Sequence, residues 1–114
     1  MRGKVGDKAR LNHIWDAIIE VETYLLSSDF DEFMKNSMMR FACIKQMEII
    51  GEAANHISDE TKTKFSDIEW AQIIGMRNVF VHEYFGVDSQ IVWEIIKNDL
   101  PILKKRIHEI IQSL

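Results

Sequence analysis

The stretch "GMRNVFVHEYFGVD", residues 75–88, places Arg77, Asn78, His82 and Tyr84 within eight residues of an otherwise apolar segment. Each side chain has its own chemistry. Arg77 is charged at every accessible pH and matches phosphate or carboxylate oxygens with a planar fork. His82 exchanges a proton near neutrality. Tyr84 carries a phenol and Asn78 an amide that both donates and accepts. At about 100° per residue, with Arg77 at zero, Tyr84 falls near −20°, Asn78 near 100° and His82 near 140°. Arg77 and Tyr84 are thus stacked two turns apart, and Asn78 and His82 form an i, i+4 pair on the adjoining face. The four make one polar strip beside an apolar face that carries Phe80 and Val79. Two readings fit this strip. It is a partly buried structural network, with Arg77 paired to Glu48 or Glu52 of another helix, or it is a reactive site. A metal site has less support: Glu83 does not share a face with His82, and His13, His56 and His108 show no ligand spacing with it. Cys43 lies on an apolar stripe and is read as core, not as a nucleophile paired with His82.

Four helices are needed to carry this strip. The first is expected from about Asp7 to Ser27, with Leu11, Ile14, Ile18, Val21 and Leu25 at helical spacing. Asp29 with Glu32 marks a short capped turn. The second long helix covers about Ser37 to Ile57. Its stripe of Met39, Cys43, Met47, Ile50, Ala54 and Ile57 is widened by Met38, Phe41, Ala42, Ile49 and Ala53, which predicts a central helix. "SDETKTKFS" is a polar break with room for one helical turn. "SDIE", residues 66–69, has the capping-box pattern and predicts that the third helix starts at Asp67, runs to Phe85 and stops at Gly86. Asp88 or Ser89 caps the fourth helix, which continues to Ser113 along Val92, Ile96, Leu103, Ile107, Ile110 and Leu114. Pro101 predicts a bend or break near Lys97 to Asn98. Gly51 is read as a point of close helix approach. The fold class is therefore all-α: an antiparallel bundle of four main helices plus one or two short helical turns, with the last helix bent near Pro101.

The chain has 114 residues, enough for one domain. Residues 1–8 are expected to form a loose extension. One proline and five glycines argue against an all-β design. A single cysteine excludes an internal disulfide and predicts a cytoplasmic protein. No apolar run approaches the length of a membrane helix, and "MRGKVGDKAR" leads into no apolar h-region, so no secretory signal is expected. The net charge of −4 counts against a broad cationic nucleic-acid surface but leaves room for a local cationic site. Trp15, Trp70 and Trp93 fall on helix stripes and are read as packing residues. Lys104, Lys105 and Arg106 are read as a solvated basic face near a helix C-terminus.

"RNVFVHEY" resembles the Arg-x4-His-x-Tyr motif of the HepT-like proteins, the toxin half of HEPN/minimal-nucleotidyltransferase toxin–antitoxin pairs. "RFACIKQMEIIGEAANHIS", residues 40–58, is similar to the second helix of that family. Residues 70–107 follow its pattern nearly end to end, and the resemblance spans about Leu11 to Ile111. It implies a single HEPN/HepT-like helical domain and a metal-independent endoribonuclease without cofactor, active as a homodimer with a composite site. It implies Arg77 and His82 as the catalytic pair, with Asn78 and Tyr84 supporting them or binding substrate. It further implies that a minimal nucleotidyltransferase antitoxin adenylylates Tyr84. Glu52, in "IIGEA", is read as a supporting residue, expected to pair with Arg77 or Arg40 across helices. RNA supplies its own nucleophile, the 2′-hydroxyl, so a base, an acid and a phosphate-binding cation suffice. A competing reading is a non-catalytic helical subunit of a nucleotidyltransferase complex, which would have no need for the complete Arg77, His82 and Tyr84 set.

Overall fold

The computed structural model describes residues 2–82 and 88–114, and of residues 2–5 and 78–82 the backbone alone. Its described residues are all helix and connection, without a strand. The elements are α1 (Arg2–Tyr24), α2 (Phe30–Lys35), α3 (Ser37–Asn55), α4 (Asp59–Lys64), α5 (Trp70–His82), α6 (Ser89–Glu94), a π-helical turn (Ile95–Asp99) and α7 (Leu100–Ser113). No described helix is long and apolar enough to cross a membrane.

The core follows from the apolar periods. Leu11, Ile14, Ile18, Val21 and Leu25 are all buried, as their 3-4-3-4 spacing requires. They meet Cys43, Ile44, Met47, Ile50, Ala54 and Ile57 of α3, which packs on α1 to one side and α5 to the other. That is the central position its wide stripe predicts. Met38 and Phe41, expected to widen the stripe, stand at the surface instead, and Ile44 takes the buried place. Ile107 and Ile110 close the core from α7. Phe33 is fully buried and packs at a tilt on Trp93 with ring centroids 5.1 Å apart, which pins the short α2 against α6.

Helix ends obey local chemistry. The Asp29 carboxylate accepts from the Glu32 backbone at 2.9 Å, and that of Asp88 from the Gln90 backbone at 2.9 Å. Ser58 caps α4, the turn that "SDETKTKFS" allows. The helix α5, however, begins at Trp70 and not at Asp67. The segment before it folds inward: Ile68 and Trp70 are buried, and the Trp70 indole donates to the Phe65 carbonyl at 3.0 Å. The Asp67 carboxylate is taken by Arg106, at 2.7 and 2.9 Å. The expected stop at Gly86 lies outside the described residues.

Pro101 acts one turn before itself. It lacks an N–H for the Lys97 carbonyl and its ring crowds that carbonyl. The chain widens into the π-helical turn, where the Leu100 N–H reaches back to Ile95, and α7 resumes with Pro101 in its first turn. The expected disturbance at Lys97 to Asn98 lies inside this turn.

The N-terminus is helical from Arg2, five residues ahead of the expected start. Asp7 is almost fully buried. Its carboxylate accepts from the Ser58 N–H at 2.8 Å, from the Ser58 hydroxyl at 2.6 Å and from the Thr61 hydroxyl, so α1 is tied to the start of α4.

Candidate functional site

The polar strip begins where α3 presses against α5 at Gly51. A Cβ built on Gly51 would lie 2.9 Å from the Arg77 Cβ, 3.0 Å from the Ile73 carbonyl oxygen and 3.1 Å from the Arg77 nitrogen. Only glycine permits that approach without a shift. The residue after it, Glu52, sits next to the stem of Arg77 for the same reason. Its Oε2 accepts from Arg77 Nη1 at 2.7 Å. Of the partners open to Arg77, the structure therefore selects Glu52; Glu48 lies 3.6 Å from Lys45 on its own helix. Arg40 is not the partner of Glu52. It donates to the carbonyls of Phe33 and Met34, where it closes the C-terminal end of α2.

The second oxygen of Glu52 is also engaged. Oε1 lies 2.9 Å from His56 Nε2, one helical turn on. The Arg77 hydrogen bond, followed by that of His56, holds the Glu52 carboxyl below the usual carboxylate range. Glu52 is thus an anion at neutral pH, set between a guanidinium and an imidazole. The Arg77 side chain is 29% exposed, Glu52 52% and His56 48%, so the row is open to solvent along its length. The α5 backbone remains helical through His82, which puts Arg77, Asn78 and His82 on one continuous helix. The side chains of Asn78 and His82, and Tyr84 altogether, lie outside what is described.

Several other candidates are spoken for. Cys43 is fully buried, and burial pushes its thiol up to about 11. Lys104 reaches Glu22 at 2.9 Å and lies over the Trp15 ring, and Arg106 is held by Asp67, so two of the three basic residues of α7 are already paired. Trp15 packs on His108, and Trp93 meets Phe30 edge-on and Phe33 at a tilt under Lys97, so these rings are packed in the bundle. A cleft of about 370 Å³ opens between α5 and α7. Ile73, Met76, Ile95 and Leu103 line it together with the paired Arg106 and Asp67. The place of His56 beside Glu52 was absent from the sequence expectations, although the i, i+4 spacing of Glu52 and His56 signals it.

Comparison with known proteins bears on what this row is for. The family model described as "Ribonuclease HepT-like" matches residues 14–110, nearly the whole bundle. The chain belongs to the HepT-like ribonuclease family. Within it, the chain is 38% identical over 100 residues to a Methanocaldococcus jannaschii protein named "Putative RNase MJ1380", covering 88% of this chain and 92% of that one. It is 34% identical over 107 residues to "Probable ribonuclease HepT" of Thermococcus cleftensis, covering 94% of this chain and 97% of the other. No solved structure gives a significant match. The HepT-like match includes both α3, with Gly51, Glu52 and His56, and α5, with Arg77 and His82.

Proposed function

We infer that this HepT-like chain is the toxin of a toxin–antitoxin pair, an endoribonuclease that cleaves RNA without a metal ion. The observation that carries the reading is the Arg77 guanidinium, partly exposed and held at 2.7 Å by an anionic Glu52, on a helix that continues unbroken to His82. Family membership supports ribonuclease chemistry, and this row offers a cation for the phosphate on the same helix as a proton-transfer group.

The reaction is transesterification. One His82 removes the proton of the 2′-hydroxyl, whose oxygen attacks the adjacent phosphorus. The 5′-oxygen leaves and takes a proton from a second His82, contributed by the other copy in a homodimer. The products are a cyclic 2′,3′-phosphate and a 5′-hydroxyl. Arg77 binds the phosphate and opposes the charge that develops on its oxygens. Asn78 orients the imidazole or binds the substrate. The antitoxin is a minimal nucleotidyltransferase that transfers AMP to Tyr84. The added phosphate brings negative charge to the strip that serves RNA phosphate, and Arg77 is then occupied in cis.

Purified protein is expected to cut RNA in EDTA. Arg77→Ala and His82→Ala are each expected to lower the rate on the order of a hundredfold or more. Cleavage abolished by EDTA, or unaffected by His82→Ala, would refute the mechanism. Light scattering tests the homodimer. Mass spectrometry after co-expression with the nucleotidyltransferase tests Tyr84: a gain of AMP there is expected, and an unmodified Tyr84 removes that part of the proposal. Folded protein that binds the nucleotidyltransferase but cuts no RNA would make it a non-catalytic subunit.

A further inference from the structure

Three features converge on one guanidinium. Gly51 lets α3 press against the stem of Arg77, with a built Cβ only 2.9 Å from the Arg77 Cβ, so the depth of the arginine is set by backbone contact. Glu52 Oε2 then holds Nη1 at 2.7 Å. Glu52 Oε1 is in turn held by His56 Nε2 at 2.9 Å. A carboxylate only accepts, so His56 Nε2 carries the proton in this bond. Both carboxylate oxygens are used, and the carboxylate plane is fixed from two sides. The grip on Arg77 is single, through Nη1 alone among the described residues. Among the described residues Nε and Nη2 take no partner, and they form the edge that matches phosphate oxygens at two points.

We propose that His56 and Glu52 are positioning residues for Arg77: His56 fixes the Glu52 carboxylate, and Glu52 turns one edge of the guanidinium toward the substrate phosphate. The proposal rests on the ribonuclease reading above. Its logic is preorganisation. Arg77 has a long stem, and holding it in one arrangement before RNA arrives removes an ordering cost from the transition state. Glu52 also carries negative charge close to where the RNA phosphate binds. It therefore weakens ground-state binding while it improves geometry, which gives it a kinetic signature that a purely structural residue lacks.

The test is steady-state cleavage of an RNA oligonucleotide by full-length wild type, Glu52→Gln, His56→Ala and the double variant, each with its thermal midpoint measured. Glu52→Gln is expected to lower kcat on the order of tenfold to a hundredfold, with KM unchanged or reduced. His56→Ala acts through a half-exposed contact and is expected to lower kcat about two- to fivefold. In the Glu52→Gln background His56→Ala should have a smaller effect than in wild type, because the anionic link from His56 to Arg77 is gone. An unchanged kcat in Glu52→Gln, a raised KM, or an equal effect of His56→Ala in both backgrounds would overturn the proposal.

A second measurement does not depend on activity. The 15N relaxation of the Arg77 Nε–H group should show a rigid side chain in wild type, a free one in Glu52→Ala, which removes the acceptor, and an intermediate one in His56→Ala. Equal mobility in wild type and Glu52→Ala overturns the positioning of Arg77 by Glu52 even if RNA is cut. Failure of wild type, or retention of full activity by Arg77→Ala, overturns the ribonuclease reading instead. A rigid Arg77 in that case assigns the Glu52 and His56 contacts to structure alone and overturns their positioning role.

Discussion

Cys43 and Glu52 stand on the same helix and are pushed in opposite directions as acids. Cys43 faces the core, and removal from water raises its thiol to about 11. Glu52 faces α5, and the hydrogen bond from Arg77 lowers its carboxyl. The consequence for Cys43 is inertness. At pH 8 its thiolate is scarcer than that of an ordinary cysteine by roughly two orders of magnitude. Native protein is therefore expected to react with iodoacetamide at least that much more slowly than denatured protein; comparable rates would show that the thiol is accessible. For Glu52 the depressed value means that the contact with Arg77 is present at neutral pH and fails only as acid protonates the carboxylate below the ordinary range. The residue types at this site were readable from the sequence, and so was Glu52 as a partner for Arg77 or Arg40. The choice between them was not readable, because Arg40 has a nearer use at the end of α2.

At the scale of elements, the decisive contact is α3 on α5 at Gly51. Two effects oppose each other in Gly51→Ala. A helix gains about 1 kcal/mol when alanine replaces an interior glycine. Against this, the new Cβ would sit 3.0 Å from the Ile73 carbonyl and 2.9 Å from the Arg77 Cβ, atoms held by helix backbone. Overpacking of this kind typically costs about 1–3 kcal/mol. The steric cost is expected to win, with a net loss of up to about 2 kcal/mol in urea unfolding. An unchanged or raised midpoint would mean that α3 and α5 separate freely. Phe33→Ala is a stronger perturbation, about 3–5 kcal/mol by the same measurement, because a fully buried ring that locks α2 to Trp93 is lost. A loss under 1 kcal/mol would show that α2 is a passenger. Element positions were largely legible, since apolar period and caps such as Asp29 and Asp88 are local signals. The start of α5 was not. The Ser66 capping pattern is local, but it competes with burial of Ile68 and with the claim of Arg106 on Asp67, both of which arise from distant parts of the chain.

At the scale of the whole molecule, Asp7 joins the first helix to the fourth across some fifty residues of sequence. Burial by itself would raise its pKa, but the hydrogen bonds of Ser58 and Thr61 outweigh it and the net shift is downward. The native state thus binds the Asp7 proton more weakly than the unfolded chain does. Its contribution is present above the unfolded pKa of about 3.9 and is lost as pH falls through the lower folded value. Asp7→Ala strands the Ser58 and Thr61 donors and is expected to cost about 1–3 kcal/mol at pH 7, with a smaller difference from wild type in strong acid. A difference that grows toward acid would refute this account of Asp7. The sequence by itself determined that the chain is a helical bundle, the buried stripe of α1 and most of those of α3 and α7, and the family motif around Arg77, because periodicity, caps and motif spacing are written in neighbouring residues. Only the tertiary structure decided that Arg77 takes Glu52, that His56 stands behind Glu52, that Asp67 belongs to Arg106 and that Asp7 is an anchor. A helical wheel gives the direction of a side chain but not the neighbour it meets, and that neighbour is set by how closely two helices pack, here by a missing Cβ at Gly51.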